Sequence, residues 1–139
     1  MKSMKRLSIA LSACALLSLG ACSLRTETSE VETLEQICVE SEAVVDGEAT
    51  LNFDVGFAAC MSSSCDSLQE SSCEVELVDG ALVVTGVAVI ESQAGGACTD
   101  DCQTPEAGCS ITVPEGTYVI SGVEEDFEYT VGAAQDCGF

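Results

Sequence analysis

Eight cysteines constrain this chain more than any other feature: Cys38, Cys60, Cys65, Cys73, Cys98, Cys102, Cys109 and Cys137. Three of them fall in the short run CMSSSCDSLQESSC, among serines and acids. In an oxidising compartment an even set of this kind is a disulfide framework. Zinc is the rival reading. Cys60 and Cys65 have four residues between them and Cys98 and Cys102 have three, which zinc tolerates, but there is no CxxC and no histidine. A reactive thiol needs nearby positive charge, whereas Asp66, Asp100 and Asp101 supply the opposite. Disulfides are therefore expected, each contributing ~2–4 kcal/mol, of the order of the whole net stability of a small domain. Eight cysteines allow about a hundred pairings. Bridges are expected among Cys60, Cys65, Cys73, Cys98, Cys102 and Cys109, with Cys38 or Cys137 joining the ends.

The start of the chain supplies the compartment. Lys2, Lys5 and Arg6 precede an apolar run, Leu7 to Leu19, that ends in small residues and is short for a bilayer span. This pattern is a secretory signal and is set apart from the fold. Leu19-Gly20-Ala21-Cys22 resembles the lipobox of bacterial lipoproteins. The resemblance implies cleavage before Cys22, a diacylglyceryl group on its thiol and an acylated amino terminus. Ser23 in place of an aspartate resembles the sorting signal that favours the outer membrane. Acyl chains at ~0.8 kcal/mol per buried CH₂ make a stable membrane anchor. Cys14 leaves with the signal.

Cleavage before Cys22 would leave 118 of the 139 residues, enough for one domain with a real core. The three signal-peptide bases depart with residues 1–21 and no acid does. One base, Arg25, then faces 24 acids, a net charge of −23. No part of such a chain neutralises phosphates, so nucleic acid is excluded as a partner. The charge keeps the protein soluble and monomeric and opposes compaction by self-repulsion. Diffuse acidity of this kind serves a salty habitat as readily as a cation site.

Residues 22–36 read as an acidic tether. Ser29 and Glu32 resemble a capping box, and Val31, Leu34 and Ile37 follow at helical spacing, so a short helix is expected over 30–37. From residue 37 the period changes to two. Asp46-Gly47 and Asp79-Gly80 each sit between apolar runs and suit type I′ hairpin turns. A third hairpin is expected at Pro114–Gly116, and DFEYTV supplies a last strand with Phe127, Tyr129 and Val131 on one face. Leu82 to Ile90 is apolar on both faces, which marks a central strand covered on both sides. The expected fold is all-β: a single antiparallel β-sandwich over 37–139, immunoglobulin-like in general architecture. The three turns should share one end. The cysteines, with Cys137 undecided, should gather at the other, across loops 59–73 and 92–109.

The residue inventory favours some functions over others. Without histidine, and without lysine in the body, acid–base, Schiff-base and serine chemistry lack partners, so no enzyme is expected. A carboxylate pair for glycoside hydrolysis arises by chance among 24 acids, and there is no tryptophan to stack on sugar. Asp100, Asp101 and Glu106 lie in GGACTDDCQTPE, a loop of the kind that offers calcium its oxygens, and Glu124, Glu125 and Asp126 could join them. A calcium-dependent module is thus the alternative. The expectation preferred here has no cofactor: a lipid-anchored envelope domain with a structural or binding role towards an envelope or extracellular protein. CMSSSCDSLQESSC and CTDDC with the later GC give the body a resemblance to small cysteine-rich bacterial lipoproteins of unknown function. That resemblance implies no activity.

Overall fold

The two Asp-Gly pairs make the turns their chemistry demands. Asp46 and Gly47 take φ of 53° and 79°, and Asp79 and Gly80 take 51° and 84°, the left-handed values of a type I′ turn. Val45 and Glu48 close the first turn by exchanging backbone hydrogen bonds of 2.8 and 3.1 Å. Around these turns the computed structural model, which describes residues 25–139, builds nine strands. They are β1 (Arg25–Val31), β2 (Leu34–Ser41), β3 (Glu48–Phe57), β4 (Asp66–Val78), β5 (Ala81–Ala94), β6 (Glu106–Pro114), β7 (Thr117–Ser121), β8 (Phe127–Thr130) and β9 (Asp136–Gly138). The signal-like segment and Cys22 lie outside the described residues.

The strands form two sheets of a sandwich. In the first, β5 is central: β4 runs along one edge, and β1 and then β7 share the other, with β8 beyond β7. The second has the order β6-β3-β2-β9. Pairing is antiparallel except between β5 and β7. The alternation read from the sequence supplies the core. Ile37, Val39, Leu51, Phe53, Val55 and Phe57 face Leu82, Val84, Ala88, Ile120 and Tyr129, all buried. Gly86 makes room for Phe57: a Cβ there would lie 2.9 Å from the Ser72 carbonyl and 3.0 Å from the Phe57 ring. Tyr129 joins the sheets through its hydroxyl, which accepts from the Ser41 N–H at 3.1 Å and reaches the Ala133 carbonyl at 3.0 Å.

Four disulfides cross-link the domain: Cys38–Cys137, Cys60–Cys102, Cys65–Cys98 and Cys73–Cys109. Cys38 and Cys137 are directly opposite in β2 and β9, so the bridge fastens a three-residue strand to its sheet. Cys73–Cys109 joins β4 to β6 across the open side of the sandwich. The other two tie the loop 58–65 to the loop 95–105.

Several expectations need correction. Residues 25–36 are no tether: β1 pairs with β5 from Arg25↔Ala94 to Val31↔Ala88, and β2 begins at Leu34. In place of the helix expected over 30–37 the chain has the end of β1, a break at Glu32-Thr33 and the start of β2, which carries a bulge. A register shift between Leu34 and Gln36 inserts an extra residue, so Leu34 and Ile37 point inward three positions apart and imitate a helical period. The hairpin expected at Pro114–Gly116 does not form, because β6 and β7 belong to different sheets. Turns of types I and II splay their strands instead of matching hairpin twist, and here the chain uses the corner to change layers. The three turns do share one end. Cys38, Cys73 and Cys109, however, lie within strands, and only the other two bridges tie the far end. Finally, β5 is central by pairing, but among the described residues no layer covers its second face, where Val83, Val87 and Val89 are half-buried.

Candidate functional site

The most elaborated polar region is the end opposite the turns. There β3 runs into the loop 58–65 and β5 into the loop 95–105. Both loops are held by main chain before any side chain acts: Met61 and Gln103 exchange two backbone hydrogen bonds of 2.9 Å, and Met61 is buried beneath them. The bridges Cys60–Cys102 and Cys65–Cys98 flank that pair. Pro105 is buried where the second loop re-enters β6, and its carbonyl accepts from Phe57 N–H at 3.0 Å.

Hydroxyls and carboxylates complete the tie. Ser62 Oγ donates to the Thr99 carbonyl at 2.9 Å, and the Thr99 N–H donates to Ser64 Oγ at 2.8 Å. The Ser62 N–H donates to the Asp66 carboxylate at 2.6 Å. Asp101 accepts from the Ser63 N–H at 3.2 Å and from the Thr99 hydroxyl. Hydrogen bonds to the ionised form hold both acids below the ordinary 3.8. For Asp66 they come chiefly from Ser92 and then Ser62, and for Asp101 chiefly from Thr99 and then Ser63. Ser62, Ser63 and Ser64 are thus occupied in joining two loops, with no imidazole in the chain to activate them.

The acids singled out for calcium are not brought together. Asp101 is engaged with Ser63 and Thr99, and Glu106 sits in β6 opposite Gly56. Among the described residues no three histidine, cysteine or acidic side chains form a group able to hold a metal ion. Of Glu124, Glu125 and Asp126, Glu124 reaches the loop end. It lines a cleft of about 1030 Å³ with Glu32, Cys60, Cys102, Thr104 and Phe139.

A second cleft, of about 620 Å³, opens on the first sheet. It occupies the gap where β1 has left β5 at Ala88 and β7 has not joined it beyond Val83. Val83, Thr85 and Val87 line it, with Glu74 and Glu32 at its sides. Sequence reasoning missed this site. The signal was present in the apolar residues on both faces of β5, which were taken for a strand buried on both sides.

Comparison with protein-family models, curated proteins and solved structures returns no match for the chain.

Proposed function

We propose that the chain is a lipid-anchored protein of the bacterial cell envelope, which holds a small acidic disulfide-stapled β-domain against the membrane as a structural or binding module. The domain itself is non-catalytic in this reading: Ser62, Ser63, Thr99 and Asp101 serve loop closure, and the chain has no histidine to act as their general base. The observation that carries the proposal is where the fold begins. Arg25 opens β1 at the loop end of the sandwich, opposite Ala94, only three residues after the lipobox cysteine Cys22. An extended residue spans at most ~3.3–3.6 Å, so the anchor holds that end within roughly 10 Å of the lipid. The turn end, with Val45 and Val78 exposed, then faces away.

Metabolic labelling with an alkyne fatty acid tests the anchor. The wild-type protein should carry label and fractionate with the outer membrane, and Cys22→Ser should lose both. Label-free protein released into the medium would remove the anchor from the reading. The closeness to lipid has its own test: a quencher on lipid headgroups should reach a fluorophore at Thr99 and leave one at Asp79 unaffected.

A further inference from the structure

The two solvent faces of this sandwich are not alike. On the second sheet the outward residues are polar: Thr50, Asn52 and Asp54 on β3, beside Ser110 and Thr112 on β6. Thr50 and Thr112 hydroxyls meet at 3.2 Å, as expected of a wetted face. The first sheet departs from this. Residues directly opposite one another in a ladder share a face, so the register places Ala81, Val83, Thr85, Val87 and Val89 of β5 outward in one column. Val78 and Val119 flank its lower end, 45% and 38% exposed. Threonine would satisfy strand preference there as well as valine does, and the other sheet uses it.

The column is bordered by acids of one type. Glu76, Glu74 and Glu70 lie beside it on β4, Glu30 opposite Val89 on β1, and Glu128 opposite Val119 on β8. No base stands among them, and Arg25, the only base of the described chain, pairs its exposed side chain with Glu27 at 3.5 Å. From Ala81 to Val89 the column runs about 27 Å at ~3.4 Å per residue. Midway along it the 620 Å³ cleft interrupts the surface.

The geometry points to this face as the docking surface for a basic amphipathic helix of another protein. A helix of about 18 residues matches the column at 1.5 Å per residue. Its apolar stripe would cover the valines, and lysines or arginines on either side of the stripe would reach the glutamates, their stems lying along the apolar surface. Charge decides between occupants. A second copy of this chain would set glutamate against glutamate, and a nucleic acid or an anionic membrane is repelled. A purely apolar partner would strand the carboxylates without counter-charge. An apolar sheet face is buried against another layer, and helix on sheet is one of the stable arrangements. The inference rests on the domain being a binding module and is independent of the lipid anchor.

The test uses the oxidised chain from residue 25 onward, which holds the whole core and all four disulfides. The probe is a synthetic 18-residue helix with a leucine stripe flanked by lysines. Controls are a scrambled peptide of the same composition and one with glutamates in place of lysines. The striped basic helix should bind at least about tenfold more tightly than the scrambled one, and amide shifts should map to Val83, Val87 and Val89. The exposed double substitution Glu74→Lys, Glu76→Lys should remove that preference without lowering the unfolding midpoint. Thr85→Lys, which puts a charge into the apolar column, should do the same. Equal affinity for the scrambled peptide, shifts confined to the loops 58–65 and 95–105, or no binding each overturn the proposal. A dimer of the chain alone that protects the same valines overturns it in favour of self-association. Failure here leaves the fatty-acid labelling result standing, and failure of labelling leaves this binding test untouched.

Discussion

Asp66 and Asp101 show how a single side chain can serve closure in a protein crowded with carboxylates. Each is stabilised as the anion by donors from across or within the loop pair, and each therefore titrates below 3.8. The sign follows from linkage. A carboxyl whose folded pKa is depressed contributes stability that is full above its unfolded value and is lost as pH falls through the folded one. Lowering the pH from 5 should leave the loop amides of Ser62, Ser63 and Thr99 protected down to about 3.8, then release them progressively below it. Hydrogen exchange at these amides reads the effect. Asp66→Asn should shrink the pH-dependent part at Ser62 and leave Ser63 titrating with Asp101. Protection at all three amides that falls well above pH 3.8 would mean that general acid titration, not these bonds, holds the loops. This much was invisible in the sequence, where nothing local assigns Asp66 or Asp101 to loop closure. Only the folded loops show that Ser62 and Ser63 aim their N–H groups at Asp66 and Asp101.

Among the elements, the paired loops carry the most redundant construction. The Cys65–Cys98 bridge is nested inside Cys60–Cys102, with separations of 33 and 42 residues. With one in place, the other closes only the short ring between them. Substituting either cysteine pair by serine should therefore cost about 3 kcal/mol in the chain-entropy view, and removing both should exceed the sum by about 1 kcal/mol. Urea unfolding of the two single-bridge variants and the double variant measures this coupling, and strict additivity would show the bridges acting on independent loops. At this scale the sequence was legible wherever local chemistry forced the answer. Asp46-Gly47 and Asp79-Gly80 required hairpins, and the alternation from Leu51 to Val55 required a one-sided strand. It was misleading where a tertiary choice imitated another local pattern. The bulge before Gln36 gave Leu34 and Ile37 a helical spacing, and the turn after Pro114 carried the chain to the other sheet instead of back along its own. The open face of β5 belongs with these, since a valine facing solvent and a valine facing a second layer are written alike.

At the scale of the whole molecule, 24 acids against one base in the described chain set charge repulsion against compaction. The screening length falls from ~30 Å at 0.01 M salt to ~8 Å at 0.15 M, passing through the ~13 Å radius of gyration of a domain of this size. Across that range each carboxylate goes from sensing most of the others to sensing its neighbours. The unfolding midpoint should rise by several degrees, since ~1 kcal/mol corresponds to about 4–8 °C in a domain of 60–100 residues. Calcium and magnesium at equal concentration should act alike, because no acidic group among the described residues converges on an ion; a saturable rise with calcium alone would reveal a site that this geometry does not assemble. The staples bear on the size of the effect. Repulsion matters only to the extent that unfolding relieves it, and a cross-linked unfolded chain keeps its charges close. Cys38–Cys137 spans 99 residues and confines the unfolded chain most, so replacing both cysteines by serine should lower the midpoint and steepen its dependence on salt. Calorimetry of the two proteins between 0.01 and 0.15 M sodium chloride separates the outcomes. A steeper slope in the variant means that the bridges work partly by denying the acids their escape. Parallel slopes would place the salt effect in local contacts of the folded state, and the bridges would then stabilise through chain entropy alone.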